Sequence, residues 1–206
     1  MADQTVEALN DISTGSPANI EDTDLFYLFR PGAPDLDFKI DGLDLKAYVG
    51  NPLTLGTPVA TTSGTSIDIT GIPSGTKKIT INFKGVSTNG SSNWLVQIGD
   101  SGGIEGSGYL SSSHSLSTGV ANTTYTAGYG MRFAGAVHVV NGSLTLTLED
   151  AAQDTWCLSG VVSSSSGNSV ISSGEKSLTG VLDRIRLTTV GGVNTFDAGE
   201  LNIAFE

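Results

Sequence analysis

The chain has 206 residues, of which 27 are glycine and 15% are charged; 21 acidic and 10 basic side chains give a net charge of −11, and the mean hydropathy is +0.05. That length suits one domain with a real core plus a small appendage, the hydropathy opposes charge-driven disorder, no apolar run reaches the roughly 20 residues of a membrane-spanning helix, and the acidic balance disfavours nucleic-acid phosphates. The single cysteine, Cys157, excludes an intramolecular disulfide and a cysteine-based zinc cluster, so stability has to come from packing or association.

Residues 1–24 are acidic and polar and read as an arm, with neither the basic nor the apolar region of a secretory signal peptide. Asp24-Leu25-Phe26-Tyr27-Leu28-Phe29-Arg30 is a short apolar strand closed by the turn signal Pro31-Gly32, and Asp37-Phe38-Lys39-Ile40 is positioned to pair with it as a hairpin. Asp41 is an acceptable N-cap for a short helix through Leu43 and Tyr48, which Gly50-Asn51-Pro52 stops. A unit this small cannot bury its own apolar groups and needs something to dock on.

From Pro58 the apolar period becomes two. Ile67 and Ile69, then Ile79, Ile81 and Phe83, then Trp94, Val96 and Ile98 each line one face of a strand. Residues 71–75 and 88–91 separate these strands as turns. Val137–Val140 and Leu144–Leu148, joined by Asn141-Gly142, predict a two-residue hairpin. Trp156, Leu158 and Val162 follow, then Ile185 and Leu187, then Leu201, Ile203 and Phe205. About eight strands at this spacing predict an all-β chain: an antiparallel β-sandwich of jelly-roll type over residues 57–206, preceded by an arm, hairpin and short helix in residues 1–56. Trp94 and Trp156 share phase with aliphatic neighbours and are expected in the core.

The stretch from Gly99 to Gly130 is rich in Gly, Ser and Thr and poor in aliphatic residues. It reads as long loops, and long loops in compact domains are often functional. Its Tyr109, His114, Tyr125 and Tyr129 are therefore the candidate contacts to an outside ligand. Within it, Gly99-Asp100-Ser101-Gly102-Gly103 spells a serine-protease nucleophile motif, but both histidines, His114 and His138, follow Ser101, whereas that mechanism places its histidine base upstream. The motif is expected to be a tight turn. Asp100, Glu105, Asp150 and Asp154 offer carboxylates without a spacing that selects a glycosidase pair. Asp35-Leu36-Asp37 with Asp41-Gly42 lacks the third oxygen ligand and terminal Glu of a calcium loop. No catalytic residue, metal or cofactor is expected, and the chain is not expected to be an enzyme.

Residues 75–87 (GTKKITINFKGVS), Trp94–Asp100, Gly106–Tyr109 and the ending from Ile185 to Glu206 resemble the C-terminal domains of bacteriophage tail-fibre and other virion-fibre proteins. Asp24–Leu28 and Lys39–Val49 look similar to the short N-terminal segments by which such fibres attach to the particle. The resemblance implies a structural virion protein at the tail or head surface, a homotrimer with almost no shaft. Leu25, Tyr27, Phe29, Leu43 and Tyr48 would serve attachment to other virion proteins, and the head would meet a host glycan or protein. Two other readings stay open: a polysaccharide-cleaving enzyme of the tailspike type, and a free carbohydrate-binding module.

Overall fold

The computed structural model describes residues 25–28, 38–41, 53–116, 120–133 and 138–206. The chain divides into two compact units, Met1–Pro52 and Leu53–Glu206. In the first, β1 (Leu25–Leu28) pairs antiparallel with β2 (Phe38–Asp41), in register from Leu25 opposite Asp41 to Leu28 opposite Phe38. This is the hairpin expected from the sequence. Phe29, Leu43, Tyr48 and the expected short helix lie outside the described residues.

The second unit is all-β, with no helix among the described residues. Its strands are β3 (Thr54–Leu55), β4 (Val59–Ala60), β5 (Ser66–Thr70), β6 (Lys78–Thr88), β7 (Trp94–Asp100), β8 (Gly103–Ile104), β9 (Leu110–Leu116), β10 (Val120–Tyr125), β11 (Tyr129–Met131), β12 (Val140–Asp150), β13 (Thr155–Ser164), β14 (Ser169–Ser177), β15 (Arg184–Thr189) and β16 (Phe196–Phe205). The larger sheet runs β10-β9-β14-β13-β12-β6-β16-β3, with β4 also on β16; the smaller runs β11-β7-β15-β5, with β8 on β7. Every pairing is antiparallel. The two sheets share one core, in a β-sandwich-like arrangement.

That core follows from the period-two pattern. Ile79, Ile81 and Phe83 of β6, Leu144 and Leu146 of β12, and Leu201 and Ile203 of β16 line the larger sheet, and Val96 and Ile98 of β7 with Ile185 and Leu187 of β15 line the smaller. Both tryptophans are core residues as expected. Trp94 meets Phe133 with ring centroids 4.9 Å apart and the edge of Phe196 at 5.7 Å. Full burial of one such side chain contributes roughly 1.5–3 kcal/mol.

Two expectations are corrected. Asn141-Gly142 is not a hairpin turn, because β12 runs through it. Gly142 takes φ 123° at a register shift between β12 and β6, and the Asn141 side-chain oxygen accepts a 2.9 Å hydrogen bond from the Gly85 N–H, itself at φ 65°. The pair therefore builds a β-bulge, which exploits the same backbone freedom that a turn does. The actual β12–β13 turn lies at residues 151–154, where the Asp150 carboxylate accepts from Ala152 N–H at 2.7 Å and Asp154 adopts φ 47°.

The second correction is to residues 99–130, where the described residues form strands joined by short turns rather than long loops. β8, β9, β10 and the start of β11 lie there, and β9 alternates buried and accessible residues. The buried ones are Ser111, Ser113 and Ser115, so the inward face of β9 is built from hydroxyls where a search for aliphatic periodicity finds nothing.

Candidate interaction surface

The inward serines have a specific task. Ser111 Oγ accepts from Gly130 N–H and Ser113 Oγ accepts from Arg132 N–H, both at 3.0 Å, while Ser172 Oγ donates to Gly130 C=O at 2.7 Å. Among the described residues β11 pairs with β7 on one side and with no strand on the other, so these hydroxyls of the larger sheet satisfy backbone groups at the edge of the smaller one. Gly130 admits this approach, since a Cβ there would strike the Tyr125 ring. Tyr129 adds a direct tie across the layers, donating from its hydroxyl to Trp156 C=O at 2.7 Å.

Three of the four residues expected to meet a ligand are thereby buried: Tyr109, Tyr125 and Tyr129. Tyr109 and Tyr129 pack edge to face at 5.0 Å. The Tyr109 hydroxyl accepts from Ile98 N–H at 2.8 Å and donates to Glu105 C=O at 2.9 Å. Burial pushes all three phenols above their ordinary range; at Tyr109 the bond from Ile98 opposes this, and at Tyr129 the neighbouring Tyr109, Cys157 and Glu175 add to it. Only His114 reaches solvent, from the outward face of β9. Leu25 and Tyr27, expected to serve attachment, both lie on β1.

Ser101 sits in the turn between β7 and β8, as expected. Asp100 accepts from Gly102 N–H at 2.7 Å, and Gly99 and Asp100 pair with Ile104 and Gly103. Beside this turn is an ion pair that the sequence reading missed. Lys176, buried, contacts the Glu105 carboxylate, also donates to Ser177 C=O, and has its ammonium 5.8 Å from the Tyr109 ring centroid. Thr179 donates to Glu105 from both N–H and hydroxyl at 2.8 Å. Burial opposes ionisation of Glu105, yet the Lys176 bond, the Thr179 bonds and the Lys176 charge together outweigh it and hold the carboxyl below its ordinary value. Each group is committed to its neighbours, so the cluster clamps the β7–β8 turn to the end of β14.

His138 is buried, with Nδ1 2.8 Å from Ser164 Oγ and 2.9 Å from Ser166 Oγ, which fits a packed residue. No group of three metal-binding side chains occurs among the described residues. Burial, then the charges of Glu149 and Glu175, push the Cys157 thiol up, away from a reactive thiolate.

The most extensive unassigned feature is the outer face of the larger sheet. Strand register sets Thr124, Ser112, Ser173, Ser159, Thr145 and Thr80 in one row across six strands. The adjacent row runs Asn122, His114, Ile171, Val161, Ser143 and Asn82, and ends on Asn202 of β16. A third holds Leu116, Ser169, Ser163 and Asn141. No Asp, Glu, Lys or Arg interrupts these rows. Charges stand at their margin: Glu175, the Lys78–Glu206 pair and the Lys84–Glu200 pair, each pair at 2.8 Å. His114, singled out for its loop, belongs to this face instead. The signal in the sequence was the density of serine through β9 and β14, which places hydroxyls on the outward positions of both strands.

No protein-family model, curated protein or solved structure matches this chain.

Proposed function

We propose that the chain is a structural virion protein, a short phage fibre whose first 56 residues attach it to other virion proteins at the particle surface and whose β-sandwich head, from residue 57, projects toward the host. The observation that carries this reading is the N-terminal unit. A two-stranded hairpin whose first strand reads Leu25-Phe26-Tyr27-Leu28 has no third strand among the described residues, and two strands alone are marginally stable at best in water. Such a unit calls for a partner, and the resemblance of the segment around it to fibre attachment segments supplies the kind of partner.

The head suits the same reading. Its connections from β5 to β6, β6 to β7, β14 to β15 and β15 to β16 pass from one sheet to the other, the habit of a jelly roll, although β12, β13 and β14 stay together as a meander. In this reading the head needs no cofactor, performs no catalysis and gains avidity from three copies. The test is incorporation. Full-length chain is recovered with particles and a chain lacking residues 1–52 is not, while light scattering of the full chain gives three times its 21.2 kDa. Particle recovery of the truncated chain, or a monomer mass, overturns the reading.

A further inference from the structure

We infer that the uncharged outer face of the larger sheet is the surface through which copies of this chain associate, so that the second occupant of the face is another copy of the protein. The inference rests on the reading of an oligomeric head and adds which face does the joining.

Charge is the first reason. A chain of net charge −11 repels its own copies wherever acidic surfaces meet. The three rows across this face hold no carboxylate and no cation, so two copies meet there without bringing like charges together. The ionic groups stand around the rows rather than within them, which reproduces the charge-depleted centre and polar rim of protein interfaces.

The second reason is apolar exposure. Val161 and Ile171 are cross-strand neighbours on this face, yet they remain 52% and 38% exposed, and Leu116 is 42% exposed one row away. Large aliphatic groups together at the middle of a sheet mark a surface that gains by being covered. The third reason is size. The rows hold six, seven and four residues; at about 4.8 Å between strands and about 6.8 Å between rows they cover roughly 550 Å² of each copy, on the order of 1,100 Å² for two, which is close to the ~1,000 Å² expected of a specific interface.

The experiment compares the full chain with Val161→Arg and Ile171→Arg, both outward-facing, by light scattering and far-ultraviolet circular dichroism. Val193→Arg, at a 71% exposed position between β15 and β16, is the control. The expected result is a fall to the 21.2 kDa monomer for the two face variants, with the β spectrum unchanged, while the control keeps the parent mass. Should either arginine impair folding, Ser159→Arg, at a smaller side chain in the adjacent row, takes its place with the same expected fall. Face variants that keep the parent mass overturn the inference and leave the fibre reading standing. A parent chain that is already monomeric overturns both. Binding of a neutral glucan to the parent, lost in the face variants at unchanged mass, assigns the face to sugar and overturns self-association.

Discussion

Lys176 shows how a single residue escapes sequence reading. A lysine next to Glu175 in a serine-rich stretch looks like solvated surface, yet its ammonium is buried against Glu105, Ser177 C=O and the Tyr109 ring. Removing one partner of a buried pair leaves a charge without compensation, which costs more than the pair contributes in net terms. Glu105→Ala is expected to destabilise the head by about 2–3 kcal/mol in urea unfolding at neutral pH, below the full range for buried pairs because Glu105 keeps some solvent contact. Lys176→Met in the same background should recover part of the loss. The pH dependence follows from the lowered carboxyl: its contribution is complete above the ordinary value of 4.5 and is lost as pH falls through the lower folded value. Parent and Glu105→Ala curves should therefore approach each other as pH falls below 4.5, and a gap that stays constant into acid would contradict the assignment.

At the scale of elements, the division of labour within β9 matters most. Ser111 and Ser113 face inward and satisfy the β11 backbone, while Ser112 and His114 face outward; one serine-rich sequence thus serves two surfaces. Ser172→Ala leaves Gly130 C=O without its hydroxyl partner in a dry setting and should cost about 1–3 kcal/mol. Combined with Ser113→Ala the loss should depart from additivity, because one hydroxyl holds β11 at Gly130 and the other the residue that follows the strand, Arg132. Amide exchange reports this directly: Arg132, whose N–H loses its Ser113 acceptor, should exchange faster in the double variant while the β6–β16 pairing stays protected. Uniform acceleration across both sheets would mean that these serines support general packing rather than the edge of β11.

For the whole molecule, the division after Pro52 predicts that residues 53–206 fold without the preceding segment, since among the described residues the buried core cluster begins at Ile67, with Val59 packed against it. A fragment beginning at Leu53 should keep a cooperative thermal transition within a few degrees of the full chain, by circular dichroism. A molten fragment would show that the first unit completes the core. Such a fragment also separates the two roles proposed here, because it should lose particle attachment while retaining the outer face of the larger sheet.

The all-β class, the β1–β2 hairpin, most of the aliphatic strands and the burial of both tryptophans were legible from the chain alone, because alternation of apolar side chains records a buried sheet face directly. β14 was missed, the strands between Gly99 and Gly130 read as loops, and Asn141-Gly142 read as a turn. In each case the local sequence permits two outcomes. Serine fits a loop, or a strand whose hydroxyls bond a neighbouring backbone, and Asn-Gly fits a turn or a bulge. Only the tertiary structure decides, because the partner that settles the choice, β11 for the serines and Gly85 for Asn141, is distant in sequence and meets them only when the sheets assemble. The uncharged outer face arises in the same way: its rows join residues from as many as seven strands, so no single segment of the sequence displays it.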